Sequence, residues 1–328
     1  MLSRNDLINN RDLAYDKALG VMAGLAIGDS FGDASRNQDN QLKYGITTDF
    51  NKEASWSTDD TEFALLTAKI LIECEGSLST EGIVKGWMEN VASQNDFPRG
   101  GASEIEAARN LKRGILPPYS GEYNSYYNSD GAAMRIAPIG IICAGDSERA
   151  VVLANIDACV SHFREGIWGA QAVAAAVSVA MVDGTIDQII EAALRPIPVD
   201  SWLYHSMKKA LEIVDNAKGE FMDAWMPLHD ELWTSYKASV PEAVAAAFGV
   251  LKLVNKDFRT GVVAAGNFGR DADTIGAIVG AILGAKYGAS QMPERWIEKT
   301  RFPSGTCLAF TNGLDIKEVA QKLSDLIK

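Results

Sequence analysis

The sequence predicts a mainly α-helical protein, and three features carry the prediction. Apolar residues recur at helical spacing almost to the C-terminus, long stretches are alanine-rich, and strand signals are few. Taking the chain in order, residues 1–12 are polar and read as a loose lead-in, and residues 13–328 read as one domain. Phe63, Leu66, Ile70 and Cys74 make one apolar stripe. The runs AQAVAAAVSVAMV (Ala170 to Val182) and EAVAAAFGVLKLV (Glu242 to Val254) follow, the second led by Pro241, which suits a helix start. Asp315 to Lys328 reads as an amphipathic helix with Ile316, Val319, Leu323 and Ile327 on one face. The β-prone piece KYGITT does not alternate with helices as β-α-β units require. Loops are expected at about 35–57 and 114–130, and long loops inside a domain are often functional.

Two glycine stripes stand out. Gly20, Gly24, Gly28 and Gly32 recur every fourth residue, as do Gly276, Gly280, Gly284 and Gly288. On a helix that spacing lines the glycines along one face. Each costs about 1 kcal/mol of helix stability against alanine, so a stripe makes sense where another backbone comes close. Two tightly packed central helices are expected.

The 328 residues are 47% hydrophobic, enough for a large core. The net charge of -12 repels phosphate backbones and argues against nucleic acid as a partner. The N-terminus has charges throughout and no apolar signal-peptide region. Thr274 to Ala285 is apolar but well short of the roughly 20 residues of a membrane span, so a buried helix is expected. Four cysteines occur without a C-x-x-C pair, as in a cytoplasmic protein with reduced, buried thiols.

Two acidic clusters carry the chemistry. Ser57-Thr58-Asp59-Asp60-Thr61 precedes the helical run EFALLTAKIL, with Ser57 or Thr58 a natural cap. Arg270-Asp271-Ala272-Asp273-Thr274 precedes IGAIVGAILGA, with Asp273 or Thr274 a natural cap. Either cluster alone reads as an ordinary acidic first turn. Together they put two Asp and a Thr at the start of each of two apolar helices. Four carboxylates gathered inside a protein repel one another unless cations balance them. Carboxylates and hydroxyls are hard oxygen donors, suited to Mg2+ or Mn2+. The scattered His162, His205 and His229 and the absence of H-E-x-x-H weigh against zinc. Two further segments, SDGAAMR (Ser129 to Arg135) and SHFREG (Ser161 to Gly166), are weaker. The first allows close backbone approach to a ligand, and the lone His162 of the second is more often structural than catalytic.

Five segments resemble the ADP-ribosylglycohydrolase family, which includes the hydrolase acting on ADP-ribosylated dinitrogenase reductase. They are GVMAGLAIGDSFGDA, STDDTEFAL, SDGAAMRIAPIG, VSHFREGIWGAQAVAAA and GRDADTIGAIVGAILGAKYG, spread from Gly20 to Gly288. The resemblance implies an all-α, compact orthogonal multi-helix bundle with a central dinuclear metal site. It implies Mg2+ or Mn2+ ligation by Thr58, Asp59, Asp60, Asp271, Asp273 and Thr274. It also implies substrate contacts from Asp130, Gly131, Met134 and His162. The substrate would be an ADP-ribosylated protein or a small ADP-ribosyl or ribosyl metabolite, cleaved at ribose C1. Asp59, Asp60 and Glu53 are the candidate catalytic carboxylates. The chain departs from the family pattern in having Asp130 where Asn is usual. It also has Glu104 and Glu106 rather than a family Asp ahead of LKRG. Two competing readings are another two-metal hydrolase acting on a phosphoester, and a non-enzymatic, crystallin-like relative.

Overall fold

The computed structural model describes residues 2–50, 57–95, 97–217 and 221–328. Among them the chain forms helices and no strand, with one isolated bridge between Ser129 and Ser239. The expected all-α class is what the chain adopts. KYGITT forms no strand, and its Thr47 exchanges hydrogen bonds with the Asn267 side chain instead. The segment's first residues end a short helix, Gln38–Tyr44, inside the expected 35–57 loop.

Two helices form the axis, Arg11–Asp33 and Ala272–Tyr287. They run antiparallel with glycine against glycine. A Cβ on Gly20 would lie 2.2 Å from the Gly284 carbonyl oxygen, and one on Gly24 would lie 2.2 Å from that of Gly280. No larger residue fits that spacing. The stripe continues at Gly32, which faces the Ala272 carbonyl. Gly288 departs from the expected stripe. It lies just past the helix as its C-cap, with φ +80°, a conformation glycine adopts at no steric cost.

The alanine-rich helices Glu165–Ala180 and Val240–Leu253 pack on this axis, as does the helix Asp59–Glu73. Small side chains let these backbones approach as well, and most of the residues involved are fully buried. The Ala272–Tyr287 helix is buried nearly throughout. No helix among the described residues is long and apolar enough to cross a membrane. The C-terminal helix Ile316–Ser324 buries Ile316 and Leu323, and Ile327 beyond it, as its pattern predicts.

The first dozen residues are more ordered than expected. Ser3 opens a capping box for the helix Arg4–Asn9, and Leu7 is fully buried. The Arg4 guanidinium donates to the carbonyls of Lys328 (2.6 Å) and Ala144 (3.0 Å), fastening the start of the chain to its end. Polar neighbours hid the anchor Leu7, which is helped by the partly buried Leu2 and Ile8 and by long-range hydrogen bonds.

Candidate metal and substrate site

Both acidic clusters sit at helix starts beside the glycine-packed axis. Thr58 caps the helix Asp59–Glu73. The second helix begins two residues or more earlier than its sequence suggested, with Asp271 rather than Asp273 or Thr274 at the cap position and Ala272 first. Since Gly28 and Gly276 force the axis together, the two starts meet. Asp59, Asp60 and Asp273 bring carboxylate oxygens within 4.8 Å of one another, and all three residues are buried.

A fourth acidic residue, from the other helix of the axis, joins them. Asp29, one residue after Gly28, accepts from the Thr58 hydroxyl (2.6 Å) and amide (2.9 Å). It also accepts from the Thr61 hydroxyl (2.5 Å) and amide (3.2 Å). Asp29 thus caps the neighbouring helix from outside, a role visible only in the fold. The G-D-S-F-G-D run was its one sequence signal.

Burial sets the protonation. Desolvation pushes Asp59 and Asp60 well above the usual carboxylate range, and the charge of Asp273 adds to it. Asp273 rises to about 7 through burial and the neighbouring Asp271, and Asp29 rises to about 6 through burial against its hydrogen bonds. Cations from elsewhere in the chain offset part of the charge. Arg36 pairs with Asp273 (2.5 Å) and Lys237 with Asp271 (3.1 Å). Arg99 pairs with Asp33. No cation pairs with Asp59 or Asp60 among the described residues. Two buried oxygens, Asp60 Oδ1 and Asp273 Oδ1, have no hydrogen-bond partner, and neither does Asp130 Oδ2. Orphaned oxygens on buried, clustered carboxylates such as Asp60 and Asp273 are what a hard cation would satisfy.

The cluster lines a cavity of about 630 Å³. Arg36, Arg99 and Lys237 bring cationic donors to its lining, and Ser103, Glu104, Ser129 and Asp130 bring oxygen groups. Of the residues singled out from sequence, Asp59, Asp60, Asp130, Gly131, Met134, Asp271, Asp273 and Thr274 line this cavity. Thr58 stands behind it, its hydroxyl given to Asp29. His162 does not line it either. The ring is fully buried between Ser161 and Ser129 and reaches the cavity only through Ser129. Glu53 lies outside the described residues. Glu104, Arg36, Arg99 and Lys237 were not legible as site residues because nothing in their local sequence distinguishes them from solvated charges.

The sequence model of ADP-ribosylglycohydrolases matches residues 10–328. The chain is 32% identical over 297 residues to an uncharacterized protein of Archaeoglobus fulgidus, covering 86% of this chain and 91% of that one. It is 24% identical over 327 residues to the ADP-ribosylarginine hydrolase Tri1 of Pseudomonas putida, covering 95% and 79%. A solved structure described as an ADP-ribosylglycohydrolase-related protein complex shares the fold, with a TM-score of 0.65 at 22% identity. It covers 97% of this chain and 100% of its own. With a match over nearly the whole chain, and with both acidic clusters meeting at one cavity, the protein belongs to the ADP-ribosylglycohydrolase family of hydrolases.

Proposed function

We propose that this protein is a divalent-metal-dependent hydrolase that releases ADP-ribose from ADP-ribosylated arginine, with Mg2+ or Mn2+ as its cofactor. The observation that carries the reading is the convergence of Asp59, Asp60 and Asp273 in the lining of a cavity, with unpartnered oxygens on Asp60 and Asp273. Thr58, Asp59, Asp60, Asp271, Asp273 and Thr274 are the proposed ligands of two ions. When bound, such ions supply Lewis-acid charge that fixes ribose hydroxyls and eases deprotonation of water.

The chain's own residues do the rest. With ions bound to offset the cost of burial, Asp59 and Asp60 would hold negative charge beside the ribose, where an oxocarbenium-like transition state develops positive charge. Asp59 and Asp60 also remain the candidates for proton transfer. A leaving guanidinium suits a cavity with this many carboxylates, and the names of the Tri1 relatives favour arginine as the acceptor. Arg36, Arg99 and Lys237 in the cavity lining suit the diphosphate. Asp130 stands where family members carry Asn. Burial and the neighbouring Asp271 push it well above the usual carboxylate range, which favours the neutral form that resembles Asn toward an anion. Gly131 and Met134 beside it are proposed substrate contacts. A cytoplasmic location fits the four free cysteines.

A substrate panel tests the reading. Arginine-, serine- and O-acetyl-linked ADP-ribose are incubated with each metal, and products are read by mass spectrometry. Free ADP-ribose from the arginine-linked substrate, lost on chelation, is the expected result. Release of inorganic phosphate would point to phosphoester hydrolysis instead. No calorimetric binding of Mn2+ or Mg2+ would point to a non-enzymatic relative.

A further inference from the structure

Ser103, Glu104 and Ser129 in the cavity lining belong to a closed ring of hydrogen bonds that the proposed function does not use. Glu104 Oε2 accepts from the Ser103 hydroxyl (2.7 Å), and Ser103 Oγ accepts from the Ser129 hydroxyl (2.8 Å). Ser129 Oγ meets His162 Nε2 (2.9 Å), and His162 Nδ1 meets Ser161 Oγ (2.7 Å). Ser161 Oγ accepts from Arg135 Nη2 (3.0 Å), and Arg135 Nη1 returns to Glu104 Oε1 (3.3 Å). All six residues are buried.

The ring has a direction, fixed by its two ends. A guanidinium only donates and a carboxylate only accepts. Ser103 has one proton and gives it to Glu104, so it must accept from Ser129. The Ser129 proton is then spent, so Ser129 must accept from His162, whose Nε2 therefore carries hydrogen. Burial and the charge of Arg135 hold His162 well below its ordinary value, so the ring is neutral and Nδ1 is bare. Ser161 then donates to Nδ1 and accepts from Arg135. Every proton in the circuit points toward Glu104.

Glu104 is held from the sides as well. A Cβ on Gly101 would lie 2.3 Å from Glu104 Oε2, and one on Gly131 would lie 2.1 Å from Oε1. The two glycines form a slot that only a bare backbone permits. Asp59 Oδ2 lies 3.2 Å from that same Gly101 Cβ position, so Glu104 stands next to the acidic cluster and faces the cavity. Arg135 is anchored in turn, through Asp157 (2.8 Å) and over the Trp87 ring.

We propose that Glu104 accepts a hydrogen bond from a hydroxyl of the bound ADP-ribosyl substrate, and that Ser103, Ser129, His162, Ser161 and Arg135 are positioning residues that aim it. His162 acts through Ser129 rather than on the substrate, and it does so only as the Nε2–H tautomer. The choice of ligand rests on the functional reading above, whereas the direction of the circuit does not.

Two measurements test the proposal. In 15N-labelled protein without ligand, the His162 ring should show Nε2 protonated and Nδ1 bare from pH 5.5 to 8.5. An Nδ1–H tautomer overturns the circuit. Calorimetric binding of free ADP-ribose in the presence of Mn2+ is then compared between wild type, Glu104→Gln, His162→Phe and His162→Gln, each checked for an intact melting transition. Loss of a hydrogen bond to a charged group predicts about 10-fold or greater weakening in Glu104→Gln and His162→Phe. His162→Gln keeps a donor facing Ser129 and should stay within about 3-fold of wild type on the same reasoning. Unchanged affinity in Glu104→Gln, or equal losses in both His162 variants, overturns the assignment. A wild-type protein that ignores ADP-ribose overturns the functional reading instead, and the tautomer alone then decides the circuit.

Discussion

Gly28 and Gly276 face each other so closely that a Cβ on Gly28 would lie 1.9 Å from the Gly276 carbonyl oxygen, and one on Gly276 would lie 2.3 Å from that of Gly28. Asp29 follows one of these glycines, and Asp273 and Thr274 precede the other by a turn or less. The distance between the helix axes at this point therefore sets the distance between the acidic groups. Packing and chemistry are the same constraint here.

Gly28→Ala should accordingly cost more than about 3 kcal/mol in urea denaturation, because neither backbone can yield without moving the whole axis. Gly82→Ala is the control. It lies inside the helix Thr80–Trp87, and its nearest neighbour is the Ser79 hydroxyl at 3.6 Å. That substitution should stabilise the protein by about 0.5–1 kcal/mol.

Asp60→Asn should abolish Mn2+ binding in calorimetry while raising the melting temperature of the metal-free protein by about 2 °C or more. Asp60 is buried with an unpartnered oxygen near the carboxyls of Asp273, Asp29, Asp59 and Asp271, so a neutral amide relieves repulsion that only a cation otherwise relieves. A melting temperature that falls in the variant would contradict this account of the cluster.

The pH dependence of stability should change sign with metal. Asp273 and Asp29 are raised to about 7 and about 6 in the folded protein, against an unfolded value near 3.8. Between these limits the native state binds more protons than the unfolded one, so stability falls as pH rises from about 4 to 7. A chelator-treated sample should melt at progressively lower temperature across that window. A Mn2+-saturated sample should show the opposite trend, because protons then compete with the ion. Thermal scans at half-unit pH steps read both slopes.

Arg36→Gln should tighten Mn2+ binding by about 3–10-fold at low salt, the size of one partly exposed charge at close range. Arg36 occupies Asp273, a proposed ligand, and its own charge is stabilised chiefly by Asp273 and Asp271, against the penalty of burial. An ion must displace it. Weaker binding in the variant would instead make Arg36 part of the metal-binding arrangement.

The fold class was written in periodicity. Alanine runs and glycines at every fourth position have few solutions other than closely packed helices, and Gly20, Gly24 and Gly28 met Gly284, Gly280 and Gly276 as that spacing requires. The two acidic clusters were legible for a related reason: a pair of Asp with a Thr ahead of an apolar helix is a local pattern. The N-terminal helix was missed because its stability is not local. Leu7 supplies one buried side chain, and Arg4 borrows carbonyls from residues 144 and 328.

What the sequence alone determined is thus whatever repeats or concentrates along the chain: helix periods, glycine stripes and the residues Asp59, Asp60, Asp271 and Asp273. What only the tertiary structure decided is which isolated charges join them. Asp29, Arg36, Glu104 and Lys237 come from four separate segments. His162, which looked like a substrate contact, is placed behind Ser129 instead. Burial and charge pairing depend on distances between segments, and a sequence pattern carries no term for those until the backbone has closed.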